Sequence, residues 1–219
     1  MGILSPILDL LFPPRCVFCH GFLNRGAEPV CAACRRDLPY TRPGGEKHGD
    51  FFAVCVAPLY YEGDVRESLR RYKFHETPGY AKTYGEFVAD CVREKLAGRY
   101  DLMSWVPLSR KRLRERGYDQ SKLLAEAAAA LLGERAVKTL EKPKNVAKQS
   151  AAGPAEKRRA NIAGAYRVPD PTVIAGRRIL LIDDIVTTGA TLSECARTLR
   201  AAGAKEVVCA ALAQTREPD

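Results

Sequence analysis

The sequence predicts an α/β protein in which a parallel sheet is covered by helices on both faces and a small metal-held ribbon precedes it. Three observations carry this expectation. From residue 53 onward, apolar runs of strand length alternate with segments of helical spacing, and strands buried on both faces read as such continuous runs. Four cysteines crowd into residues 16–34 as two C-x2-C pairs. Between the two regions lies TRPGGEKHGD (41–50), rich in Gly, Pro and charge, which reads as a linker and divides the chain into 1–46 and 47–219.

The ribbon comes first. Cys16 and Cys19 are followed after eleven residues by Cys31 and Cys34. Two such knuckles present four thiolates tetrahedrally, the set that Zn(II) takes in a structural site. A segment this short buries little core, so the metal supplies the folding free energy. CVFCH (16–20) also matches a c-type haem attachment pattern, but that chemistry needs export and leaves the second pair unexplained. A redox pair fits two pairs at ribbon spacing less well, and a disulfide framework needs an oxidising compartment. His20 stands beside the cluster, where four thiolates already suffice. Cys55, Cys91, Cys195 and Cys209 sit singly in apolar runs and read as inert buried residues.

After the linker, AVCVAPLYY (53–61) reads as a strand, and 64–74 and 81–98 as helices, with Gly98 as a stop. DLMSWVPL (101–108) is a strand ending in proline, and SKLLAEAAAALLG (121–133) a helix closed by Gly133. AVKTLEK (136–142) and GAYRV (164–168) flank a polar segment. RRILLIDDI (177–185) and EVVCAALAQ (206–214) are buried strands with a helix at 190–204 between them.

A net charge of +9 favours acidic partners, nucleic acid or phosphorylated small molecules, without choosing between them or a merely basic surface. No apolar run reaches the roughly 18 residues that cross a bilayer. The opening MGILSPILDLLFPPRC is apolar, lacks a basic flank and runs into Pro13, Pro14 and Arg15. It reads as a short docking helix rather than a signal peptide, and the expected location is the cytoplasm.

The chemistry concentrates in ILLIDDIVTTGATL (179–192). In a parallel sheet, ligands sit beyond the carboxyl ends of the strands, so this strand delivers Asp183 and Asp184 to the binding edge. The Thr/Gly turn that follows opens a helix, whose free N–H groups and dipole suit a phosphate. Two carboxylates repel that phosphate, but they accept hydrogen bonds from vicinal hydroxyls or hold hydrated Mg(II). A ribose 5-phosphate offers both features. The plain alternative, a helix N-cap with acids nearby, explains one acid and one Thr but not the whole string.

These fourteen residues resemble the phosphoribosyl pyrophosphate (PRPP) loop of type I phosphoribosyltransferases. The resemblance implies that Asp183 and Asp184, the catalytic acids, hold the ribose hydroxyls. It implies that Thr187, Thr188, Gly189, Ala190 and Thr191 wrap the 5-phosphate. WVPLSRKRLRERGYDQS (105–121) places Arg110, Lys111, Arg112, Arg114 and Arg116 after another strand end. A charge run is usually a solvated face, but at this edge it neutralises a pyrophosphate. The fold carries that role at the turn, here Pro107, Leu108, Ser109 and Arg110. Knuckles, basic run and acidic loop together resemble the ComF (GntX-like) family, a zinc ribbon joined to a type I phosphoribosyltransferase fold. That family usually has His at Ser109 and Asn at Asp119. The polar segment 142–166 resembles its flexible loop through Gln149, Arg158, Asn161 and Gly164–Ala165–Tyr166, with Ala152 where Leu is usual. There Lys148 or Arg158 reaches the pyrophosphate on closure.

The resemblance implies Mg-dependent phosphoribosyl transfer from PRPP to an unnamed acceptor. No nucleophile is needed, since positioning and electrostatics carry such a step. A base-reading hood is expected among residues 55–80, which hold Tyr60, Tyr61, Arg70, Lys73 and His75. The resemblance also implies support of single-stranded DNA uptake in natural transformation, with competence-machinery partners that place the protein at the inner membrane. A non-catalytic factor that senses PRPP or a nucleotide, or binds nucleic acid, is the competing class.

Overall fold

The computed structural model describes residues 13–41, 45–75, 77–143 and 164–216. In chain order the elements are α1 (Ala32–Asp37), β1 (Cys55–Val56), β2 (Leu59–Tyr60), α2 (Gly63–Phe74), α3 (Tyr80–Lys95), β3 (Leu102–Trp105), α4 (Arg110–Arg116), α5 (Gln120–Leu132), β4 (Arg178–Val186), α6 (Ala190–Ala201) and β5 (Glu206–Gln214). A 3-10 turn at Pro171–Val173 precedes β4. The docking helix expected at the start of the chain lies outside the described residues.

The sheet runs β1-β5-β4-β3, with β2 also paired to β5, and every one of these pairings is parallel. Side chains alternate between its faces. Leu180 and Ile182 of β4, with Val208, Ala210 and Leu212 of β5, pack with α3, α5 and α2. Ile179, Leu181, Val207, Cys209 and Ala211 pack on the other face with Leu192, Cys195 and Leu199 of α6. Burial on both faces is why these strands are apolar throughout, and it is the covered parallel sheet that the sequence predicts.

The differences from expectation are local. The strand expected at 53–61 breaks between β1 and β2, where Pro58 has no N–H to give a ladder. The strand expected at 101–108 ends at Trp105, although the Val106 N–H still donates to the Ile182 carbonyl at 2.9 Å. Residues 136–142 and 164–168 form only single bridges, Met103 with Ala136 and Glu141 with Arg167. The basic run is a helix: Ser109 Oγ caps it by accepting from Arg112 N at 3.3 Å, and Gly117 ends it at φ 77°.

Two packing features place the site. Helix α3 lies close on α5 at Gly85, where a Cβ would stand 2.7 Å from the Ala127 Cβ. The alanine-rich sequence of α5 permits that approach. The ribbon shares the core of the sheet domain: Val17, Phe18, Val30 and Leu38 are buried in the same cluster as Leu69, Tyr72 and Tyr84. The Phe18 ring meets those of Tyr84 and Phe87 at centroid distances of 5.9 and 5.5 Å.

Candidate functional site

Strand β4 ends at the carboxyl edge of the sheet with two acids that find different partners. Asp184 Oδ1 accepts from Lys73 Nζ, in the last turn of α2, at 2.9 Å. Both side chains are nearly enclosed, at 11% and 18% exposure. Asp183 Oδ1 accepts from Ser121 Oγ in the first turn of α5 and from the Asp184 N–H, each at 2.9 Å. Burial, and then the Asp184 carboxylate beside it, push the Asp183 carboxyl up to about 7. Asp183 is therefore an acid that its surroundings make hard to ionise.

Beyond Val186 the chain turns through Thr187 and Thr188 to Gly189, which opens α6 at φ 73°. Only glycine adopts that angle freely, and a Cβ there would stand 3.3 Å from the Phe52 ring. The first turn of α6 leaves N–H groups at the loop with the helix dipole behind them.

The turn after β3 faces this loop. Val106, Pro107, Leu108 and Ser109 line one cleft of about 310 Å³ together with Asp183, Asp184, Thr187 and Thr191. Asp119 holds the turn in place, its carboxylate accepting from Leu108 N and Lys122 N, each at 3.1 Å. An acid at this position therefore serves as both turn clamp and α5 N-cap, and burial raises its pKa. Arg112 and Arg116 enter the cleft from α4, and Tyr61, Lys142 and Tyr166 close its sides. Lys142 Nζ donates to Tyr166 Oη at 3.0 Å, and burial pushes its pKa down.

Of the residues singled out from the sequence, the structure thus gathers Asp183, Asp184, Thr187, Thr191, Pro107, Leu108 and Ser109 in one cleft. Thr188, Gly189 and Ala190 line the adjoining hollow of the same loop. Arg110 lines a neighbouring hollow with Leu113, Lys138 and Arg167 instead. Lys148 and Arg158, with Gln149 and Asn161, lie outside the described residues. In the expected hood, Tyr61 lines the cleft and Lys73 is taken by Asp184. Tyr60 carries Arg216 over its ring at 3.9 Å, and Arg70 pairs with Glu67 on the surface. Lys142 and Ser121 were not legible as site residues, and Tyr166, read as part of the loop pattern, lines the cleft itself. The choice of Arg112 and Arg116 over Arg110 was legible: an i,i+4 pair shares one helix face, and Arg110 with Leu113 shares another.

The second site is the cysteine cluster. The Sγ atoms of Cys16, Cys19, Cys31 and Cys34 all lie within 4.8 Å of one another, and Cys19 and Cys31 are 3.8 Å apart. A zinc with bonds of about 2.3 Å to four sulfurs needs edges of about 3.8 Å, so the four thiols fit it. Cys31 N donates to Cys16 Sγ and Cys34 N to Cys31 Sγ, each at 3.4 Å, donors that suit thiolates. His20 is the one non-glycine residue with positive φ (63°) among the described residues, and it sits in the knuckle turn outside the cluster.

Residues 123–218 match the phosphoribosyl transferase domain, and residues 7–59 match the double zinc ribbon domain. Competence protein F of Haemophilus influenzae is 26% identical over 214 residues, covering 88% of this chain and 93% of that protein. Competence protein ComFC of Streptococcus pneumoniae is 31% identical over 150 residues, 67% of this chain and 62% of that protein. DNA utilization protein YhgH of Escherichia coli O157:H7 is 33% identical over 111 residues, 50% of this chain and 48% of that protein.

Two outcomes follow from these geometries. Because folding raises the Asp183 pKa to about 7, the folded state holds its proton more tightly than the unfolded one. The cost of ionising it is absent below the unfolded value near 4, grows between the two, and is complete above about 7. Asp183→Asn is therefore expected to raise Tm by a few degrees at pH 8 and to make no difference by about pH 4. A variant less stable than wild type at pH 8 would contradict this. Metal analysis of purified protein is expected to find one zinc per chain, and Cys16→Ser with Cys31→Ser to abolish it and lower Tm. Unchanged Tm would contradict a structural site.

Proposed function

This chain belongs to the ComF family, a zinc ribbon joined to a phosphoribosyltransferase domain, and on that premise we propose that its cleft binds PRPP with Mg(II) for phosphoribosyl transfer. One observation carries the reading. Segments more than 70 residues apart in sequence, the β3 turn with α4 and the β4 loop with α6, meet in one cleft. They bring an acid pair, a phosphate-ready helix start and two arginines to a single ligand.

In this reading the 5-phosphate lies on Thr187–Thr191, the ribose hydroxyls donate to Asp183 and Asp184, and the pyrophosphate lies against the β3 turn, Arg112 and Arg116. Two carboxylates, one already held by Lys73, do not make a metal cage by themselves. They suit Mg(II) that arrives with phosphates and keeps several waters. When bound, that ion stabilises charge on the leaving pyrophosphate. As the C1–O bond breaks, the pyrophosphate leaves with the bonding electrons. The acceptor's lone pair closes on C1, and the acceptor loses a proton. The arginines stabilise the departing anion and the carboxylates the cationic ribosyl group. No side chain is asked to act as a nucleophile.

A second reading, binding of single-stranded DNA, is favoured by the competence and DNA-utilization names of the relatives. It is also favoured by the hollow beside the cleft, where Arg110, Lys122, Lys138, Lys142 and Arg167 outnumber Asp119 and Glu141, although Glu141 pairs with Lys138 and Arg167. The two readings coexist in a protein that handles DNA under control of a phosphoribosyl ligand. No helix among the described residues is long and apolar enough to cross a membrane. A cytoplasmic place, with any membrane association through a partner, belongs to the same proposal.

Calorimetric titration of PRPP with Mg(II) is expected to show binding that Asp183→Asn/Asp184→Asn removes. Arg112→Ala is expected to weaken PRPP by about tenfold or more, to weaken ribose 5-phosphate little, and to exceed the effect of Arg110→Ala. No heat with folded, zinc-loaded wild type would overturn the PRPP reading. For DNA, the affinity for a single strand is expected to fall steeply with salt; a flat response would remove that reading.

A further inference from the structure

Helix α2 joins the two sites. Its residues 68 and 71 share one face, and residue 73 points nearly the opposite way at helical spacing. On the first face, Ser68 Oγ donates to the Val17 carbonyl and Arg71 Nη2 to the Val17 and Phe18 carbonyls. Those carbonyls lie between Cys16 and Cys19, inside the first metal knuckle. On the other face, Lys73 holds Asp184. Between them Tyr72 is fully buried, with Tyr72 Oη donating to the Gln120 carbonyl at 2.9 Å. Tyr118 Oη donates to the Tyr72 carbonyl. One turn of helix is thus fixed on the ribbon side, at its centre and on the acid side.

We propose that Lys73 is a positioning residue for the acid pair, and that the metal-loaded ribbon sets its place through Ser68 and Arg71. Adjacent carboxylates at a buried strand end repel each other and resist ionisation together. A cation 2.9 Å from Asp184 Oδ1 holds that acid in one place beside Asp183. A lysine on a loose helix end would wander, because its flexible stem loses entropy when held. The clamp on the knuckle carbonyls removes that freedom in advance. The knuckle that carries those carbonyls also supplies Cys16 and Cys19 to the metal cluster. Val65 and Leu69 keep α2 in the core regardless, so opening the clamp displaces the last turn rather than unfolding the helix. The positioning stands on the geometry alone; its consequence for ligand binding rests on the PRPP reading.

The first test needs no ligand. Full-length zinc-loaded protein is treated with an amine-acetylating reagent, and the rate at Lys73 is read by mass spectrometry. Arg71→Met, with zinc content confirmed as unchanged, is expected to speed acetylation of Lys73 by at least about fivefold, the scale of a lost charge-assisted clamp. Ser68→Ala provides the milder variant if Arg71→Met fails to fold. An unchanged rate in a folded, zinc-loaded variant would overturn the proposal. The second test is binding of PRPP with Mg(II). Lys73→Met and Arg71→Met are each expected to weaken it by about tenfold, Lys73→Arg to restore most of the loss, and the double variant to lose no more than Lys73→Met alone. Additive losses would mean that Arg71 acts by another route, and the proposal would fail. If wild type binds no PRPP, the phosphoribosyl reading fails while the acetylation rate still decides the positioning.

Discussion

Two ionisable carboxylates stand at the end of a strand that is buried on both faces, and the rest of the molecule is arranged to make that tolerable. A buried charge without a partner is among the most costly features a fold can carry. Here Lys73 comes from one helix, Ser121 from the start of another, and the Asp184 N–H from the backbone itself. Arg112, Arg116 and Lys142 supply positive potential across the cleft. The net charge of +9 is thus partly concentrated where two acids need company, and the same cations suit a ligand that carries pyrophosphate.

The ribbon belongs to that arrangement as well. Its apolar residues are part of the main core, and its knuckle carbonyls receive donors from the helix that delivers Lys73. A short segment with four cysteines lacks the surface to fold by burial alone, so the metal closes the knuckle and the knuckle finishes the core. One turn of α2 contacts both the knuckle and the acid cleft.

Much of this was legible in the sequence. The continuous apolar runs of β4 and β5 announced a sheet covered on both faces, and the cysteine spacing announced the metal site. The string from Ile179 to Leu192 announced the acidic edge and the loop after it, since an apolar strand runs into two acids and then a turn whose Gly189 takes φ 73°. The breaks were less legible. Pro58 splits a strand whose composition reads as continuous, and of the turn expected to bind pyrophosphate Arg110 alone lies off the cleft, in the neighbouring hollow. Least legible were Ser121 and Lys142, while Lys73 and Tyr166 were read in the hood and the loop but not as partners of Asp184 and Lys142. Each is an ordinary residue in its own segment and acquires a role only from the strand or helix brought beside it. Asp119 is the reverse case: an unexpected acid in the sequence, explained by the two N–H groups it holds.

Whether this cleft is built for a phosphoribosyl ligand is decided by a crystal structure of the zinc-loaded protein with PRPP and Mg(II). The expected result is the 5-phosphate on the N–H groups of Thr187–Thr191, the ribose hydroxyls on Asp183 and Asp184, and the pyrophosphate against Leu108, Arg112 and Arg116. Ligand density elsewhere, or an empty cleft at saturating PRPP, would contradict it.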